Sequence, residues 1–261
     1  MPRADFRGSI VCMSLLPPDL EPLAALLMIA VSMGGSFITA AFGIGGGLVL
    51  VAVMAVVLPP AALIPVHGVV QLGSNFGRAL IMLKHLERSA ILPFAAGGMI
   101  GAGLGGALFV QFPPWVVQFG LAGFIVWSVL GRLPAIGKGH IFAAGAVSSF
   151  LTMFFGATGS FVAATVKAMK LPPLDHVATH SALMTLQHLL KSLAFGILGF
   201  AFAPWLPFIA AMIASGFLGT VIGRHLLVRM GHRYFRTVLN AILLILAARL
   251  AWSGVEGVLA G

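Results

Sequence analysis

The sequence is poor in charge. Asp, Glu, Lys and Arg make up 8% of its 261 residues, against about a quarter in a typical soluble domain, so a water-soluble fold of this size would lack the polar side chains to cover its surface. Acids are the scarcest. The six are Asp5, Asp19, Glu21, Glu87, Asp175 and Glu256, and all map to tails or to the ends of apolar segments. A cation carrier or a carboxylate proton relay needs an acid within the membrane, and this chain has none to offer. Cys12 is the single cysteine, which excludes a disulfide framework and any cysteine-based metal or redox motif. GxSxG, HExxH and paired intramembrane carboxylates are also missing, and with them the hydrolase chemistries they carry.

What is present is apolar: 60% of the residues are hydrophobic. Lys and Arg number 15, for a formal charge of +9, but they sit mainly in short breaks between long apolar stretches, where the positive-inside rule accounts for them. No basic face with interleaved aromatics is formed, so nucleic acid is not an expected partner; the lipid bilayer is. Residues 1–20 carry mixed charge, a short apolar run and the Pro17-Pro18 break, and read as an extramembrane tail that is neither signal peptide nor span.

A membrane-spanning helix needs about 20 apolar residues. Full-length segments are expected near 21–42, 62–83, 91–110, 115–131, 139–155, 174–197, 205–223 and 234–252, and shorter ones near 47–58 and 160–171, each after a glycine-containing break and before a Pro-Pro. With the interval of Lys84 and Arg88 placed in the cytoplasm, alternation puts Arg132, Lys138, Lys167, Lys170, Arg224, Arg229, Arg233 and Arg236 there too. The opposite intervals, at Pro59-Pro60, 111–114 and 199–207, hold no Lys or Arg. The expected product is a multi-pass protein of the cell (inner) membrane with both termini outside the cytoplasm.

The segments recur. SFITAAFGIGGGLVLVAVMAVVLPP starts at Ser36 and SFLTMFFGATGSFVAATVKAMKLPP at Ser149, an offset of 149 − 36 = 113. Without gaps, Ser36, Phe37, Thr39, Phe42, Gly43, Gly46, Val53, Ala55, Leu58, Pro59 and Pro60 meet their own residue type. Continuing the register pairs His67 with His180, Arg78 with Lys191, Gly103 with Gly216 and Gly106 with Gly219. The fold class is therefore an all-α integral membrane protein of two inverted-topology repeats, since each half holds five segments and an odd number reverses direction. The organisation is a tail at 1–20, a first repeat at 21–131, a cytoplasmic linker at 132–138, a second repeat at 139–252 and a tail at 253–261.

Two features carry candidate chemistry. The first is the pair of breaks. Gly43, Gly45, Gly46 and Gly47 let the backbone approach a ligand closely, and the following short helix would point unpaired N–H groups at the break, an anion site. Thr158, Gly159 and Ser160 hold the corresponding place and add two hydroxyls. The second feature is a polar stripe after each Pro-Pro. His67, Gln71, Ser74 and Arg78 follow one another at i, i+4, i+7 and i+11 along one helix face, and His180, Met184, Gln187 and Lys191 repeat it. A polar line ending in a cation suits a pathway for a small anion; if a proton is coupled to transport, His67, His180 or His188 would titrate. No cofactor is implied. An alternative makes His176, His180 and His188, with His67, the ligands of a membrane redox or metal protein.

With FGIGGG opening the first half, FGATGS the second, and a Pro-Pro after each, the chain from about residue 22 to 252 resembles the TauE/SafE sulfite exporter family of membrane permeases. The resemblance implies export or uptake of sulfite, sulfonates or other small sulfur-containing anions by a non-enzymatic permease.

Overall fold

The computed structural model describes residues 16–17, 20–42, 45–109, 112–131, 140–226 and 233–259, and among these it holds ten α-helices and no strand. They are α1 Pro22–Phe42, α2 Gly46–Val57, α3 Pro60–Ile81, α4 Ile91–Phe109, α5 Pro114–Leu130, α6 Ile141–Phe155, α7 Gly159–Ala168, α8 Pro173–Ile197, α9 Leu206–Leu226 and α10 Arg233–Leu259. Prolines set three of the starts. Pro60, Pro114 and Pro173 occupy first helical positions, where the missing N–H costs nothing and the ring presets φ. Glycine makes the breaks: Gly45, φ 104°, precedes α2, and Gly156, φ 72°, closes α6, a backbone region that other L-residues rarely enter.

Among the described residues, four helices are long and apolar enough to cross a membrane, over Pro22–Ala41, Arg88–Phe109, Ala203–Gly223 and Asn240–Leu259. Helices α3 and α8 have the length, at 22 and 25 residues, and turn their polar residues inward: His67, Ser74, Arg78, His180, Gln187 and Lys191 are all buried. Outward side chains are apolar, Leu23, Leu92, Leu104, Ile197, Leu218 and Ile245 among them, which is the arrangement lipid requires.

Both ends correct the sequence expectation. Residues 253–259, expected as tail, continue α10, because Gly254 and Gly257 lie against Phe119 and Trp115 of α5 and Trp252 donates to Glu256 at 2.7 Å. Leu20, placed in the N-terminal tail, is buried in the main apolar core. The expected linker 132–138 lies outside the described residues.

The same packing occurs twice. Helix α9 lies on α1 as α4 lies on α6, while α3 meets α8 and α5 meets α10. A Cβ on Gly216 would strike the Ser36 hydroxyl, and one on Gly219 or Gly223 the carbonyl of Met33 or Phe37. In the other half, Gly98 faces the Ser149 hydroxyl, and Gly101 and Gly105 the carbonyls of Ala146 and Phe150. Ser36, Met33 and Phe37 map to Ser149, Ala146 and Phe150 by the 113-residue step, but the glycines map by 219 − 101 = 118. The expected pairs Gly103–Gly216 and Gly106–Gly219 are therefore wrong in register. Gly216 follows Pro173 by 43 residues and Gly98 follows Pro60 by 38, so five extra residues enter the second half, and Gly103 has nothing within 4 Å of where its Cβ would be.

Helix directions follow from the contacts. Helices α3 and α8 run oppositely: His67 stands against His188, and His85, just past α3, donates to Asp175 in the first turn of α8 at 2.9 Å. Helix α9 runs with α3, Gly73 meeting Ile213 and Gly77 meeting Phe217. Helix α4 runs with α8, Gly98 meeting Leu190 and Gly106 meeting Leu198.

Candidate functional site

The two short helices start at one place. A cavity of about 40 Å³ lies between the first turns of α2 and α7 and the middles of α3 and α8. A single water needs about 10–15 Å³ of cavity space, so a small ion fits. Its wall is built of equivalent pairs: Gly47 and Ser160, Gln71 and Met184, Asn75 and His188 are each 113 residues apart, and all six line it together with Thr39, Gly45, His67 and Gly159. Neither Gly45 nor Thr158 caps its helix with a side-chain hydrogen bond, and the N-terminus of a helix points its leading N–H groups outward, where an anion can meet them. Among the described residues, no acid lines the cavity.

Two histidines hold the short helices in place. His67 Nε2 donates to the Gly47 carbonyl at 3.1 Å and His180 Nε2 to the Gly159 carbonyl at 3.0 Å, so each Nε2 carries a proton. Gly46 admits the closest backbone approach, since a Cβ on it would overlap the Gly35 carbonyl of α1. Gly43 lies outside the described residues.

The remaining stripe residues stand behind the wall. Ser74 shares a 3.0 Å hydrogen bond with Ser36, and both line a separate narrow seam that has Thr39, Gly47 and Gln71 in common with the cavity wall. Arg78 donates to the Asn75 side-chain oxygen at 3.1 Å and so touches the cavity through that amide. Gln187 donates to the Thr158 hydroxyl, which in turn donates to the Ser148 carbonyl at 3.3 Å. Lys191, fully buried, donates to the Gly156 carbonyl at 2.9 Å. His180, Gln187, Thr158, Arg78 and Lys191 are thus buttresses, while His67, Gln71, Gly45, Gly47, Gly159 and Ser160 are wall.

Sequence reasoning passed over Asn75 and Thr39 as site residues and took His188 as a possible coupled-proton group or metal ligand, not as part of the wall. The 113-residue step contained the signal: Asn75 and His188 are equivalent, one turn beyond Gln71 and Met184. The metal alternative finds no support in the geometry, because no three His, Cys, Asp or Glu side chains among the described residues are grouped to hold an ion.

Gly47 offers a local test of the wall. A Cβ there would fall on the Gln71 amide nitrogen, the mobile end of a side chain, so Gly47→Ala is expected to fold, with a melting temperature near wild type, and to lose anion flux as Gln71 is pushed into the cavity. Unchanged flux would show that this wall does not meet the transported species.

An apolar outer face, two interrupted helices and a buried polar cavity at their junction define a polytopic helical membrane transporter. The family model described as "Sulfite exporter TauE/SafE" matches residues 27–250, nearly the whole chain, and the chain belongs to that family. The family is one of transporters and not of enzymes, and membership implies an exporter-type membrane carrier of sulfur-containing anions. No curated relative and no solved structure matches the chain.

Proposed function

We propose that the chain carries sulfite or a small organosulfonate across the cell (inner) membrane by alternating access, with the anion held in the cavity between the first turns of α2 and α7. The observation that carries this reading is the convergence of two uncapped helix starts, one from each half, on one cavity without an acid in its wall. Gly45, Gly46, Gly47, Gly159 and Ser160 present backbone N–H groups to the anion, with Gly43 assigned to the same break by sequence. His67, Gln71, Ser74, Thr158, His180 and Gln187 shape and brace the site, and Arg78 and Lys191 supply positive charge behind it. A coupling proton belongs to this reading.

Rocking of one repeat against the other around a midplane site is how inverted repeats achieve alternating access. Helix directions support that arrangement. The equivalent helices α3 and α8 are antiparallel, and since α9 follows α3 while α4 follows α8, the equivalents α4 and α9 oppose each other as well. The basic intervals at Lys84, Arg88, Lys167 and Lys170 then face the cytoplasm, with both termini outside.

Purified protein in liposomes, assayed with radiolabelled sulfite, ethanesulfonate and sulfate, is expected to give saturable flux of sulfite or the sulfonate. Absence of flux for every one of these anions would overturn the reading.

A further inference from the structure

The two sides of the cavity differ in what they leave unused. Asn75 is committed at both ends of its amide, donating to the Gln71 carbonyl at 2.8 Å and accepting from Arg78 at 3.1 Å. Its equivalent, His188, is 1% exposed, lines the same cavity, and has a buried Nδ1 without a hydrogen-bond partner among the described residues. His67 Nδ1 is likewise buried without a partner among the described residues, but His67 and His180 each commit Nε2 to the first turn of a short helix. His188 commits neither ring nitrogen to a described residue and stands edge-on to His67, ring centroids 5.9 Å apart.

A histidine at a cavity wall that commits neither nitrogen is costly to bury unless something that enters the cavity satisfies it. The titratable groups around His188 are His67 on α3 and His180 and Lys191 on its own helix, with Arg78 of α3 beside His180. Helices α2, α4 and α6 carry none, and Lys167 sits at the far end of α7. No carboxylate in the wall balances a charge on the ring. An arriving anion does, because a nearby opposite charge favours imidazolium, and linkage makes the two binding events reciprocal. The anion gains equally: burying it inside a membrane is less costly when a positive charge arrives with it.

We propose that His188 takes up one proton as the anion enters the cavity and releases it where the anion leaves, so that anion and proton cross together. The proton comes from water on the side of entry, completes the imidazolium with both ring nitrogens as donors, and returns to water on the side of exit. The proposal rests on the reading of the cavity as an anion site.

Calorimetric titration of sulfite, and of ethanesulfonate where sulfite gives no heat, into the purified full-length protein tests it. Two alkaline buffers of different ionisation enthalpy count the protons taken up per anion, with sulfite itself present as the dianion. The expected count is about one for the wild type and none for His188→Asn, which installs the side chain the first half has at this place; His188→Gln serves if the Asn variant does not fold. Binding with no proton uptake by the wild type overturns the proposal and leaves the anion site standing. So does a count that persists in the His188 variants, or one that vanishes in His67→Gln instead. Failure of both anions to bind, together with absent flux, overturns both readings.

Discussion

Gly101→Val and Gly219→Val are each expected to abolish recovery of folded protein, while Gly103→Val leaves yield and melting temperature close to wild type. At Gly101 a Cβ would overlap the Ala146 carbonyl, and at Gly219 the Met33 carbonyl. Both obstacles are backbone, so the helices would have to part along the crossings of α4 with α6 and of α9 with α1. Overpacking costs about 1–3 kcal/mol even where side chains can yield, and a marginally stable fold has little to spare. In lipid the penalty falls on the term that matters most, because helices there associate through close packing rather than through the hydrophobic effect. Gly103 faces outward with nothing within 4 Å, and a valine there meets acyl chains. Size-exclusion yield and thermal melting in detergent measure the contrast. Equal behaviour of Gly101→Val and Gly103→Val would show that these close approaches do not hold the bundle together.

The same glycines show what the sequence could reveal and where it stopped. Breaks and helix starts were legible because they depend on local chemistry: Pro59-Pro60 and Pro172-Pro173 mark the beginnings of α3 and α8, and the glycine break lies one residue from the start of α2. The 113-residue register was legible through α1–α3 and α6–α8, where Pro and His fix it. It failed in α4 and α9 because five inserted residues slid one small-residue-rich helix past another, and frequent glycines still matched at the wrong offset. In the candidate site, the stripe at i, i+4, i+7 and i+11 runs along the helix face that borders the cavity but extends past its depth. Eleven residues advance about 16 Å along a helix, so Arg78 and Lys191 lie beyond the wall, while the wall itself uses His67, Gln71 and Asn75 at i, i+4 and i+8. The end of α10 was missed for another reason. The sequence places 253–261 in a tail, but Gly254 and Gly257 let the helix lie flat on the aromatic side chains of α5, a tertiary contact with no local sign.

Lys191→Met is expected to lower anion flux by about tenfold or more with the protein still folded, and Arg78→Met to lower it through a different contact. Both cations are buried, Lys191 at 0% and Arg78 at 2% exposure, and charges so placed inside a membrane are kept only where they have work to do. The Lys191 ammonium donates to the Gly156 carbonyl, on a residue held at φ 72° where α6 gives way to α7. Thr152 donates to the same carbonyl at 3.0 Å, so the break keeps one partner when the lysine is lost. Methionine also fills the volume of the stem, and the fold is expected to survive. What disappears is a charge-assisted hydrogen bond of about 1.5–3 kcal/mol and the positive charge beside the cavity. If that loss is expressed in the anion-bound state, each 1.4 kcal/mol, roughly, is a factor of ten. Arg78 acts through Asn75, so Arg78→Met frees an amide of the wall, and Arg78→Lys does not restore it because a lysine lacks the planar fork that reaches that oxygen. Flux assays paired with melting temperatures separate transport from folding. Wild-type flux in both intact variants would show that neither cation serves the anion.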